Sequence, residues 1–290
     1  LEKAEAPLKF ASTRSSFLIK GWIPTEDLTK SIERLNKTSK NKVFVHFESA
    51  KKEDKVPVKL KNPRYAKPFE FFIDLYSMPT YKEIDPTFFM FLTFPVFFGI
   101  MLGDIGYGLV SLILFLVLKK SIPKADNFFN ILLLSSFVTI LFGFLFGEFF
   151  GEEKLMGFEL PHLLSRVHDM FALLYTAIGI GVVHVNLGLI IGFINELKSH
   201  GLMMAVYEKI SWIVLQIGVA LLALSHFGKI AISPLVGYVF LGLSTLMLFK
   251  GEGIKGIIEL PSILTNIMSY ARLMAIGLSS VSLAVVINES

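Results

Sequence analysis

The chain is 290 residues long, 53% of them hydrophobic, with 28 phenylalanines and a mean hydropathy of +0.62. That is too apolar for an ordinary soluble domain, and the formal charge of +4 comes without a basic stripe or interleaved aromatics, which argues against nucleic acid as a partner. The absence of cysteine excludes disulfides, thiolate metal ligands and a cysteine nucleophile.

Residues 1–85 hold 17 Lys and Arg against 12 Asp and Glu, whereas residues 86–290 hold 11 against 12. The two parts therefore belong to different solvents. The expected fold class is mainly α: a polytopic transmembrane bundle of about seven spans, preceded by the end of a small α/β cytoplasmic domain. The expected division is 1–68, soluble part plus linker, and 69–290, membrane part. The chain opens at Leu1 in a polar segment and ends at Ser290 directly after an apolar run, so both ends are expected to be cuts in a longer protein.

In the soluble part, residues 17–22 read as a strand closed by Pro24. Thr25-Glu26-Asp27 reads as a helix start, with a capping hydroxyl and two acids in the positive first turn. Leu28, Ile32 and Leu35 then form one apolar stripe on a short amphipathic helix, and residues 43–47 read as a second strand. A β-α-β element is the expectation. Pro57, Pro63 and Pro68 mark the charged segment that follows as a linker.

From residue 86 to 118 the sequence is almost entirely apolar, too long for one helix in a hydrocarbon core of ~30 Å. Gly103-Asp104-Ile105-Gly106-Tyr107-Gly108 breaks it, giving expected spans at 87–102 and 106–118. Further apolar runs place spans at 127–147, 170–194, 207–227, 233–249 and 263–287. Seven spans put Lys119, Lys120, Lys124, Lys198, Lys250 and Lys255 on the side of the N-terminal domain. Glu148, Glu152, Glu153, Glu159, Asp169, Arg166 and Lys229 then fall on the other. The basic bias lies on the side that the positive-inside rule requires for the cytoplasm.

Polar groups inside apolar runs are the candidates for function. Arg272 is the sharpest, because burying an arginine in a membrane costs at least ~2.5–3.5 kcal/mol on insertion scales and calls for a partner or a water path. Thr265, Arg272 and Ser279 recur at intervals of seven, with Ser262, Asn266, Ser269 and Ser280 beside them, so one polar stripe runs along the last helix. Glu259 and Pro261 precede it. Asp104, between glycines, reads as a cap or brace for the first hairpin. Glu148 reads as a solvated acid at the far interface, and His184 and Asn186 as partners for neighbouring helices. Glu159, His162, His168 and Asp169 lack the spacing of a metal site, and no metal or other cofactor is expected. Gly188 and Gly192, four apart, read as a helix-packing device. The chain carries no phosphate loop, nucleophile elbow or zinc-protease motif, so it is not expected to hydrolyse ATP itself.

Several motifs bear a resemblance. Asp85-Pro86-Thr87, Phe94-Pro95 and the Gly103-to-Gly108 motif resemble the first membrane hairpin of the membrane stator subunit of V-type and A-type rotary ATPases, called subunit a or, in archaea and bacteria, subunit I. The Phe-Gly-Glu-Phe-Phe-Gly core ending at Gly151, Gly188 to Glu196, Leu260-Pro261-Ser262 and Ser269-Tyr270-Ala271-Arg272-Leu273 resemble it too, in family order. So do Gly21-Trp22-Ile23-Pro24 and Leu60-Lys61-Asn62-Pro63. Nearly the whole chain is covered.

The resemblance implies a stator that forms two offset ion half-channels against a rotor ring and moves H⁺ or Na⁺ across the membrane. Arg272 would face the carboxylates of the ring's proteolipid subunits, with Glu259, Asn266, Ser269, Ser279 and Ser280 along the ion path. Eukaryotic members have histidines where this chain has Asn266 and Ser280. Further implied partners are peripheral-stalk subunits, the central-stalk cap subunit and the lipid bilayer. An eighth span is expected beyond Ser290. The alternative reading is a secondary transporter that binds an anionic substrate at Arg272.

Overall fold

The computed structural model describes residues 11–13, 15–51, 54, 56–155, 157–166, 168–288 and 290. The chain divides into two compact units between Leu60 and Lys61.

In the first unit, β1 (Ala11–Ser12) pairs antiparallel with β2 (Phe17–Leu18), Ala11 opposite Leu18. A single 3₁₀ turn, Thr25–Asp27, leads into α1 (Leu28–Ser39). The Thr25 hydroxyl does not cap; Pro24 occupies the cap position, and no side-chain cap bond forms there. Residues 43–47, expected as a second strand, form none. A strand requires a neighbour for its backbone, and here Phe44 and Phe47 stand 90% and 65% exposed. The expected β-α-β element is therefore replaced by a short hairpin and one helix.

The second unit is helical. After α2 (Glu70–Tyr76) come α3 (Thr87–Leu102), α4 (Ile105–Ser121) and α5 (Asp126–Phe146). A small hairpin, β3 (Lys154–Leu155) with β4 (Phe158–Glu159), precedes α6 (Met170–Ser199). α7 (Leu202–His226) contains a π-helical turn at Val206–Ile210. Then follow α8 (Pro234–Gly251), the short α9 (Ile254–Ile258), α10 (Leu260–Met268) and α11 (Ala271–Asn288). Among the described residues five helices are long and apolar enough to cross a membrane: Pro123–Phe146, Met170–Ser199, Leu202–His226, Pro234–Gly251 and Leu260–Asn288. The two arms of the first hairpin, with 16 and 17 residues, fall short of that length.

Asp85 starts α3: its Oδ1 accepts from the Thr87 backbone N–H at 2.9 Å and from the Thr87 hydroxyl at 2.5 Å, while Asn62 donates to its Oδ2 at 2.6 Å. α3 and α4 both pack on α5, and α7 packs on α8. Lipid supplies no hydrophobic drive between helices, so close approach and satisfied hydroxyls have to hold them. Ser135, Ser136 and Thr139 on α5 are fully buried and donate to carbonyls one turn back. Ser111 on α4 also bonds Ser136, at 3.0 Å. Trp212, Leu215, Leu248, Ile263 and Ile267 form an apolar core shared by α7, α8 and α10. Of the two glycines read as packing devices, a Cβ added at Gly192 would meet the Lys209 stem at 3.4 Å, and one at Gly188 would meet nothing within 4 Å among the described residues.

Polar contacts gather at the two ends of the bundle. At one end Asn195 accepts from the Ile84 backbone, and Lys209 lies 3.7 Å from both Glu208 and Glu252. At the other end lie the 103–104 turn, residues 147–166 and the end of α11, where Asn288 donates to the Phe150 carbonyl at 2.9 Å.

Candidate functional site: a buried cluster and an outward arginine

Two polar features stand out, on different faces. The first begins with Asp104, which is 1% exposed and caps α4. Its Oδ1 accepts from the Tyr107 N–H at 2.9 Å, and its Oδ2 from the Gly151 N–H at 2.7 Å. The Ile105 N–H donates to the Glu148 carbonyl at 2.9 Å, so one carboxylate ties the hairpin turn to the loop that ends α5. Gly151 has φ +79°, and an added Cβ would lie 2.4 Å from that of Ala284 on α11. Only glycine brings this loop so near the last helix.

Glu148 is not the solvated acid its sequence position suggested. It is 1% exposed and faces Arg166, 3% exposed, at 3.5 Å. The two are 18 residues apart, and the Leu163 N–H returns to the Leu145 carbonyl at 2.9 Å, a pairing that short-range pattern could not reveal. Arg166 was missed as a site residue; its only signal is a lone cation following Leu163-Leu164. Its guanidinium stacks 4.5 Å over Phe146, and Nη1 donates to the Gly277 carbonyl of α11 at 3.5 Å. Among the described residues both Glu148 carboxylate oxygens and Arg166 Nη2 lack a hydrogen-bond partner. Beside Arg166 lies an almost wholly apolar cavity of about 180 Å³, lined by Phe146, Arg166, Leu173, Thr176, Met274 and Gly277 among others.

Burial pushes the Glu148 carboxyl up to about 7, against Arg166, which pulls it down; Asp104 and Glu153 push it further up. Burial lowers Arg166, while Glu148 and Asp104 sustain its charge. The sign of the pH effect follows. Between the ordinary 4.5 and about 7 the folded chain holds a proton that the unfolded chain has lost. Stability from this group is full below about 4.5 and is lost as pH rises through about 7. We predict that Glu148→Gln flattens the fall in thermal stability across that window. Parallel falls in variant and wild type would show that the carboxyl does not titrate there.

The second feature is the α10–α11 helix. Its inner face is Ile263, Ile267, Gly277, Val281 and Ala284, all buried. Ser262, Thr265, Asn266, Ser269, Arg272 and Ser279 are exposed. The polar stripe thus points out of the bundle. Ser269 and Ser279 satisfy their hydroxyls on the carbonyls of Asn266 and Ala275, and Ser280 is half-buried. Among the described residues Arg272 forms no ion pair. Glu259 sits at the head of α10, where it pairs with Lys255 at 3.7 Å, and is not brought to Arg272. His184 on α6 hydrogen-bonds through Nδ1 to the Tyr270 hydroxyl. Asn186 donates to Gln216 of α7 at 2.8 Å. Among the loop groups, Glu159 pairs with Lys154, His162 lies 3.2 Å from the Leu160 carbonyl, and His168 and Asp169 both contact Ser165.

Residues 7–156 match the family model described as the V-type ATPase 116 kDa subunit family. The A-type ATP synthase subunit I of Thermococcus kodakarensis is 35% identical over 297 residues, covering 96% of this chain and 45% of that protein. The subunit I of Methanothermobacter thermautotrophicus is 32% identical, covering 99% and 44%. That of Archaeoglobus fulgidus is 34% identical, covering 99% and 51%. The chain therefore spans about half the length of these relatives. With five helices fit to cross a membrane, it is a multi-pass membrane protein.

Proposed function

This chain belongs to the V-type ATPase 116 kDa subunit family, and from that premise we propose that it is the membrane stator of a rotary ATPase or ATP synthase. In this reading it carries H⁺ or Na⁺ across the bilayer through half-channels against a rotor ring, while other subunits make or hydrolyse ATP. The N-terminal unit is cytoplasmic, seven helical passes cross the membrane, and stalk subunits hold the stator still.

The observation that supports this reading is Arg272, on the face of α10–α11 turned away from the bundle, without an anionic partner among the described residues. An unpaired cation in hydrocarbon is costly, so a partner outside this chain is required. A ring carboxylate fits. It must be neutral to turn through lipid, and beside a fixed cation its ionised form is favoured, so it releases its ion. An arginine stays protonated in proteins, so it cannot pass the proton straight across. Thr265, Ser269 and Ser279 line the same face and supply hydroxyls to the path. Glu148, its carboxyl pushed up toward neutrality by burial, suits ion entry at the far end. Glu259 suits the cytoplasmic side.

Because the chain has no cysteine, cross-linking from single introduced cysteines tests the reading in the assembled complex. Ser279→Cys, on the outward stripe, should cross-link to the rotor ring, and Val281→Cys, on the buried face, should not. A ring that neither co-purifies with the chain nor cross-links at position 279 would sink the proposal.

A further inference from the structure

The helix that carries Arg272 is broken two residues before it. α10 ends at Met268 and α11 begins at Ala271. Up to Ser269 the backbone bonds run four residues back, Ser269 N–H to the Thr265 carbonyl at 2.9 Å. The next bonds run three back: Tyr270 to Ile267 at 3.1 Å, Arg272 to Ser269 at 3.1 Å and Leu273 to Tyr270 at 2.9 Å. The Ser269 hydroxyl takes the Asn266 carbonyl that the Tyr270 N–H leaves, at 2.6 Å. Each tightened residue turns the chain by ~120° instead of ~100°, so three of them rotate everything beyond by about 60° relative to a straight α-helix. That rotation is large enough to decide which way Arg272 points.

Local sequence does not dictate this break, for Ser269-Tyr270-Ala271 contains neither proline nor glycine, the usual causes of a kink. The contacts that hold it come from α6. Gly181 lies against the break, and a Cβ there would come within 2.8 Å of the Ile267 carbonyl oxygen and 2.9 Å of the Tyr270 ring. One turn on, His184 Nδ1 is hydrogen-bonded to the Tyr270 hydroxyl. Phe97 of α3 closes the group edge-on, 5.0 Å from the His184 ring and 5.7 Å from that of Tyr270.

We infer that His184 is a positioning residue for Arg272: through Tyr270 it clamps the tightened turn, and so fixes the direction in which the arginine leaves the helix toward its partner. The inference rests on the reading of Arg272 as the stator cation.

The test uses the intact complex in vesicles, reading ATP-driven ion pumping per ATP hydrolysed alongside the amount of assembled complex. Tyr270→Phe removes only the hydroxyl, and His184→Leu removes the ring nitrogen. Each should lower coupled pumping about three- to tenfold, the factor that one interhelical hydrogen bond is worth in a membrane, with assembly unchanged. The double variant should be no worse than the poorer single one. His184→Asn, whose amide reaches the Nδ1 position, should recover most of the loss. Tyr270→Phe should also weaken the cross-link from Ser279→Cys to the ring, which a merely structural bond would leave alone. Losses that multiply in the double variant, or that only follow the amount of assembled complex, would overturn the inference. So would wild-type pumping by both single variants while Arg272→Ala is inactive. Wild-type pumping by Arg272→Ala would instead remove the reading beneath it.

Discussion

Replacing Arg272 by alanine is expected to reduce ATP-driven ion pumping to background while leaving the complex assembled. The side chain is exposed and pairs with no acid among the described residues, so its loss opens no cavity and strands no buried charge. The buried face of the same helix, from Ile263 to Ala284, is untouched. In the proposed stator, what is removed is the positive charge that would favour an ionised carboxylate opposite, so the rotor site would keep its ion. Arg272→Lys is the sharper variant. Desolvation depresses the pKa of a buried ammonium by up to several units, and lysine offers no planar fork to a carboxylate. The lysine is expected to stall release or to leak protons. A purely structural cation would tolerate lysine and fail first by disassembly. Pumping at the wild-type rate in an intact Arg272→Ala complex would exclude the rotary-stator mechanism.

The Asp104→Asn variant is expected to act the other way, on assembly before transport. One carboxylate accepts two backbone N–H groups from segments 44 residues apart, Tyr107 and Gly151. Asparagine keeps one acceptor and turns an amide N–H₂ toward the second donor. A buried N–H without a partner costs about 1–3 kcal/mol, and the lost charge assistance adds to it. The loop would lift from the last helix, since Gly151 is its point of contact with Ala284. The yield and heat resistance of the complex should fall more than pumping per assembled complex. Normal assembly with transport lost would show that Asp104 serves the ion path directly.

The parts of this molecule legible in the sequence are those set by local forces. Length and hydropathy gave apolar helices because each satisfies its own backbone. The runs at 87–102 and 127–147 correspond to helices Thr87–Leu102 and Asp126–Phe146. The polar stripe was visible because a helix has a fixed period. What depends on distant partners was hidden. Residues 43–47 have strand-like residues but no strand beside them. Glu148 looked solvated because its partner Arg166 comes from another segment, itself bonded to Gly277 of the last helix. The π-helical turn at Val206–Ile210 and the break at Ser269-Tyr270 carry no proline, so nothing local announces them. The second arm, read as 106–118, runs on through the lysines to Ser121.

The Met170–Ser199 helix has 30 residues and Leu260–Asn288 has 29. At 1.5 Å per residue each is about 45 Å long, half again the ~30 Å of hydrocarbon available. The apolar runs within them, 170–194 and 263–287, are each about 38 Å long, so an upright helix would hold apolar residues among the headgroups or thicken the membrane around it. Leaning relieves the mismatch, and because Gly181 locks the two helices at the Ile267 carbonyl, they lean as a pair. The height of Arg272 in the bilayer thus depends on membrane thickness as well as on protein packing. A thinner bilayer would favour a steeper lean and shift the arginine along the surface of whatever turns past it.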